Sequence, residues 1–169
     1  MFKRILVPVD GGPVSNLGLR QAIKLSALEG ARLRLVHVVD EMPVMVDAEM
    51  GVMADAIPAL REGAQKILAH AASMAQRAGI TTEISMIESM GGSTAEFIVN
   101  EAKAWRADVI VLGTHGRSGI ERAFMGSSAE DIIRSTPVPV LLVRAKDEEE
   151  KAAARPAAKR KPGTARATT

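Results

Sequence analysis

The chain has no cysteine and no tyrosine, and each absence closes off a chemistry. Without cysteine there is no disulfide framework, no thiolate zinc site and no cysteine nucleophile, which is in keeping with a reducing compartment. Aromatic residues make up only 2% of the chain (Phe2, Phe97, Trp105 and Phe124). That is too few for a single-stranded nucleic-acid platform built on stacked rings. Long apolar runs are missing too. The longest, such as Val138 to Val143, falls far short of the roughly 18 residues a membrane span needs. The apolar stretch behind Lys3 and Arg4 is broken by Pro8 and Asp10, too soon for the core of a signal peptide. A soluble, cytoplasmic protein without a membrane partner is expected.

What is present is ordinary for a globular domain. Hydrophobic residues make up 47% and charged residues 25% of 169 residues, which suits one folded unit and excludes wholesale disorder. Charge is unevenly spread. From Ala145 onward seven basic side chains stand against four acidic ones, whereas residues 1–144 carry 15 and 16. The chain therefore divides into a nearly neutral domain, 1–144, and a basic Ala/Lys/Arg/Pro/Thr tail, 145–169, whose low complexity predicts disorder. Lys159, Arg160, Lys161 and Arg166 carry charge without aromatics, so any nucleic-acid contact by the tail would be weak and sequence-independent.

Within the domain, short apolar runs alternate with amphipathic segments. Strands are expected at Arg4–Val9, Leu33–Val39, Thr81–Ile87, Asp108–Gly113 and Val138–Val143. Helices are expected from Pro13 to about Glu29, from Ile57 to Ala78, from the capping box Ser93-Thr94-Ala95-Glu96 to about Trp105, and from a second capping box, Ser127-Ser128-Ala129-Glu130. Pro13 suits a first helical position, and Gly30 and Gly79 suit C-caps. This alternation means right-handed crossovers and a parallel sheet covered on both faces. The expected fold is a three-layer α/β/α sandwich, Rossmann-like or flavodoxin-like, with strand order 3-2-1-4-5. Asp40 to Ala56 is a long connection holding Met42, Met45, Met50 and Met53. It reads either as a loop that tucks methionines into gaps or as an adaptable lid.

In such a sheet ligands bind beyond the carboxyl ends of the strands, where strand order reverses. The loops that meet there are Asp10-Gly11-Gly12-Pro13 and Gly113-Thr114-His115-Gly116-Arg117-Ser118-Gly119, the second leading to a helix at Ser127. Glycines that let a backbone approach closely, followed by a helix N-terminus, suit an anion such as a phosphate chain. The same glycines also suit a plain turn, and Ser127 with Glu130 also suits a simple cap. Arg117 reads equally as a phosphate cation and as a solvated loop residue. His70 falls on the polar face of its helix, and His115 would act through its backbone. Neither a Gly-x-x-x-x-Gly-Lys-[Ser/Thr] nor a Gly-x-Gly-x-x-Gly motif occurs, which disfavours P-loop and dinucleotide-dehydrogenase chemistry.

The spacing Gly113-x-x-Gly116, nine residues, then Gly126-Ser127 resembles the nucleotide signature of the universal stress protein family. Ile5 to Asp10, His37-Val38-Val39-Asp40, Gly92 with Ile98-Val99, and Pro137 to Val143 match as well. The resemblance covers residues 1 to about 144 and points to the ATP-binding branch. It implies ATP as ligand, with a divalent metal such as Mg as a possible companion. Pro8, Val9 and Asp10 would then lie near ribose and adenine, and Val38 would meet adenine through its backbone. Gly113, Gly116, Gly126, Ser127 and Ser128 would hold the phosphates, and Arg117, read from its own chemistry, is the candidate cation beside them. A homodimer through strand 138–143 is implied too, and the apolar edge of that strand argues for it independently. The function read from these features is a nucleotide-binding regulator of the stress response. The alternatives are a slow ATPase or nucleotidyl-transfer enzyme, for which the only candidate reacting groups are Asp10 and His115, and a polyanion-binding module acting through the tail.

Overall fold

A computed structural model describes residues 1–42, 56–114 and 127–144. Its elements run β1 (Arg4–Pro8), α1 (Pro13–Glu29), β2 (Arg32–Asp40), α2 (Ala56–Arg77), β3 (Thr82–Ser89), α3 (Thr94–Ala104), β4 (Val109–Thr114), α4 (Ser127–Ser135) and β5 (Val140–Arg144). The five strands form one sheet, with every neighbouring pair parallel, in the order β3-β2-β1-β4-β5. This is the expected order. Among the described residues no helix is long and apolar enough to cross a membrane.

Two apolar layers hold the sheet. On one face Ile5, Val7, Leu33, Leu35, Val109 and Val111 pack with Leu19 and Ala22 of α1 and Leu68, Ala71 and Ala75 of α2. On the other, Leu6, Val36, Ile110 and Leu112 pack with Ile98, Val99 and Ala102 of α3 and Ile132 of α4. Alternation along each strand divides these residues between the faces, and burying each larger side chain contributes about 1.5–3 kcal/mol. At the amino ends of β1 and β4, the Asp108 carboxylate accepts the N–H groups of Lys3 (2.7 Å) and Arg4 (2.8 Å). Those bonds hold its carboxyl below the usual range against the opposing effect of burial.

The punctuation behaves as the sequence predicts at α1. Gly12 is the N-cap, Pro13 opens the helix, and Gly30 caps its end at φ 61° with its N–H on Ser26 C=O. The caps of the later helices differ. Ser93 precedes α3 but makes no side-chain capping bond. Ser127 is the first residue of α4 rather than its cap, and Glu130 pairs with Arg134 (2.7 Å) instead of reaching back. The fifth strand begins at Val140, not Val138, because Pro137 and Pro139 have no N–H to offer the ladder. Met42 is exposed and donates its N–H to Asp40 (3.1 Å). The other three methionines of that connection, the loop 115–126 and the tail 145–169 lie outside the described residues.

Candidate functional site

A cavity of about 340 Å³ opens at the carboxyl ends of β1, β2 and β4, at the point where strand order reverses. A cleft of that size suits a small-molecule ligand. Its walls come from Pro8, Val9 and Asp10 after β1, Val36 to Val38 of β2, Leu112 to Thr114 of β4, and the first turns of α1, α3 and α4. Seven of the ten residues singled out in the sequence meet here: Pro8, Val9, Asp10, Val38, Gly113, Ser127 and Ser128. The remaining three, Gly116, Arg117 and Gly126, lie outside the described residues, as does His115. His70 is exposed on α2, away from the cavity.

The wall contributed by β2 follows from ladder alternation. Arg32 N–H donates to Lys3 C=O (2.9 Å) and Val36 C=O accepts the Val9 N–H (2.8 Å), so even-numbered residues of β2 bond toward β1. Odd-numbered residues bond toward β3, with Leu33 N–H on Thr81 C=O (3.1 Å). By this alternation Val38 directs its N–H and C=O toward the β1 side, one rung beyond the last residue of that strand. The acceptor for that rung would be Val9 C=O. That oxygen instead takes the His37 Nδ1–H at 2.6 Å. Val38 thus offers one backbone donor and one acceptor at the cavity wall.

The Asp10 loop is held by its own short bonds. Asp10 Oδ1 accepts the Gly12 N–H (2.7 Å), and Asp10 N–H donates to Ser15 Oγ (3.2 Å). Gly11 sits at φ 78°, a conformation that favours glycine. The exposed carboxylate keeps acceptor capacity for a hydroxyl group. Asp10 and His37 are the titratable side chains among the described lining residues. No group of three or more His, Asp or Glu able to hold a metal ion occurs among the described residues.

Ser127 and Ser128 open α4 and line the same cavity as Gly113 and Thr114 of β4. The first-turn N–H groups of a helix and its dipole favour an anion. Gly113 also has a second reason to lack a side chain. A Cβ there would stand 2.0 Å from Val14 C=O, and one on Gly18 would stand 2.7 Å from Gly113 N. Helix α1 therefore packs onto β4 backbone to backbone. Val14, Ser15, Thr94 and Ile98 are lining residues that sequence reasoning missed. They lie in helices whose apolar stripes and caps account for them without any ligand, and only the crossover geometry turns them toward the cavity.

The model of the universal stress protein family matches residues 1–144. The chain belongs to the universal stress protein family. It is 33% identical over 144 residues to a universal stress protein of Methanocaldococcus jannaschii, covering 85% of this chain and 83% of that one. A solved family member from Burkholderia pseudomallei is 28% identical with a TM-score of 0.63, over 85% of this chain and 96% of that one. A universal stress protein from Archaeoglobus fulgidus, solved in complex with dAMP, has a TM-score of 0.62 at 23% identity, over 83% of this chain and 96% of that one. Likeness at that last level of identity shows the fold alone.

Proposed function

We propose that this universal stress protein binds ATP and acts as a cytoplasmic regulator of the stress response, its occupancy altering its conformation or partners. The observation that carries this reading is the cavity itself. The backbone donor and acceptor of Val38, on β2, and the N-terminus of α4 with Ser127 and Ser128 both line it, β2 and β4 flanking β1 on either side. Adenine presents an acceptor at N1 and a donor at N6, the complement of one residue's N–H and C=O. Pro8, Val9 and Asp10 would line the ribose, with Asp10 accepting from a hydroxyl. Gly113, Gly116, Arg117, Gly126, Ser127 and Ser128 would surround the phosphates, and a divalent metal such as Mg would be carried mainly by the phosphates themselves. The dAMP bound to the Archaeoglobus fulgidus neighbour supports an adenine nucleotide as the ligand class. Pairing of β5 with β5 of a second copy would give a homodimer.

The glycine loop supplies the test. Gly116→Val and Gly126→Val should each abolish ATP binding by calorimetry while circular dichroism stays unchanged, because a side chain blocks close approach of the backbone. Unchanged ATP affinity in both variants would overturn the assignment. Single-turnover hydrolysis with the same protein separates a binding protein from a slow ATPase.

A further inference from the structure

We propose that His37 is a positioning residue: it occupies the Val9 carbonyl and so keeps the Val38 amide open to the base. In a parallel pair each residue facing its neighbour donates and accepts in turn. Arg32 and Val36 follow that pattern against β1, and Val38 is next in line. Its natural acceptor, Val9 C=O, is taken at 2.6 Å by the imidazole of the preceding residue. A carbonyl can only accept, so Nδ1 carries the hydrogen. With an aliphatic residue at position 37, the carbonyl would be left without that donor, and the Val38 N–H is the group that ladder register assigns to it. The rung would close, and the strand would extend at the expense of the site.

The cause is a property of the ligand-free protein, and the consequence rests on the nucleotide reading above. Two measurements on the full chain therefore separate them. Amide hydrogen exchange without ligand should find Val38 N–H exchanging freely in the wild type and at least about tenfold more slowly in His37→Leu, where it pairs with Val9. Calorimetry should find His37→Leu weakened about tenfold for AMP, the effect of one hydrogen bond, but unchanged for ribose 5-phosphate, which has no base. His37→Asn, whose Nδ2 donates from a similar position, should match the wild type in both measurements. A merely structural histidine would not give this pattern, since losing it would weaken AMP and ribose 5-phosphate alike. A Val38 amide already protected in the ligand-free wild type overturns the proposal, as does equal loss of AMP affinity in the Leu and Asn variants. Should the wild type bind neither AMP nor ATP, the nucleotide reading falls, and the exchange measurement still decides the role of His37.

Discussion

The sheet ends in β3 on one side and β5 on the other, and the two edges are finished differently. Along β3, Arg34 pairs with Glu83 and with Glu101 (2.7 Å) while its guanidinium stacks 4.8 Å above Trp105. Trp105 Nε1–H donates to Glu83 (3.1 Å). Further along, Arg61 bridges Glu41 (2.7 Å) and Glu88 (3.0 Å). Ile84 is 53% exposed on that edge, its neighbour Glu83 carrying charge on the other face of the sheet. On β5 the balance reverses: Leu141 is 42% and Leu142 is 40% exposed, one toward each face of the sheet. The strand's single charge is Arg144. Charges along an edge deter strand addition, whereas a bare apolar edge invites it. The contrast singles out β5 as the edge that would meet a second copy.

The largest effect should come from breaking β5 itself. Ile110 N–H donates to Pro139 C=O (2.9 Å). Residues 139, 141 and 143 therefore bond toward β4, and Val140, Leu142 and Arg144 present their N–H and C=O outward. Val140→Pro removes an outward donor and leaves the ladder within the chain intact. Light scattering at tens of micromolar (about the range in which an interface of standard size is filled) should find the wild type dimeric and this variant monomeric. A monomeric wild type would make β5 no different from β3.

The opposite edge should respond in stability and not in assembly. The Arg34 side chain, hydrogen-bonded to Glu83, holds that carboxyl below its ordinary range, and the Trp105 N–H adds to the effect. A depressed carboxylate contributes stability above its unfolded value of about 4.3, and loses it as pH falls through the lower folded value. Glu83 is about one-third exposed, so solvent screening keeps the contribution to about 1 kcal/mol or less. Glu83→Gln should lower the melting temperature at pH 7 by about 2–4 °C at most, and the difference from wild type should shrink below pH 4. The variant should stay dimeric. A melting difference that persists unchanged at pH 3 would remove the ionic account of this edge.

The comparison also marks how far the sequence could be read. Strand and helix positions were legible because each is signalled locally, by Pro13 and Gly30 at α1 or by the unbroken apolar run of β4, and the strand order followed from the fold class that their alternation implies. Of the seven cavity residues, Asp10, Gly113, Ser127 and Ser128 were legible because switch-point loops and a helix start are signals in the chain itself, whereas Pro8, Val9 and Val38 came from the resemblance to the family. Three things were not. Ser93 and Ser127 have the composition of side-chain caps, but a cap needs a geometry that composition does not set. Gly113 reads as a loop glycine, yet its contact with Val14 is between residues about a hundred positions apart. His37 looks like one more strand residue until register shows which carbonyl it takes.

The smallest effect should come from the chain that follows β5. Residues 147–150 are Asp-Glu-Glu-Glu and the remainder is rich in Lys, Arg, Ala and Pro. A segment so charged is poor cover for Leu141 and Leu142. Deleting 147–169 should therefore leave the melting temperature, ATP affinity and dimerisation within error of the full chain. Affinity for a random duplex DNA, weak at low salt, should vanish in the truncated protein and, in the full chain, at about 0.2 M salt, as expected for a few phosphate contacts without base readout. A dimer that tightens markedly on truncation would mean that this segment competes for the β5 edge, and the two edges would then differ in what covers them rather than in whether they are covered.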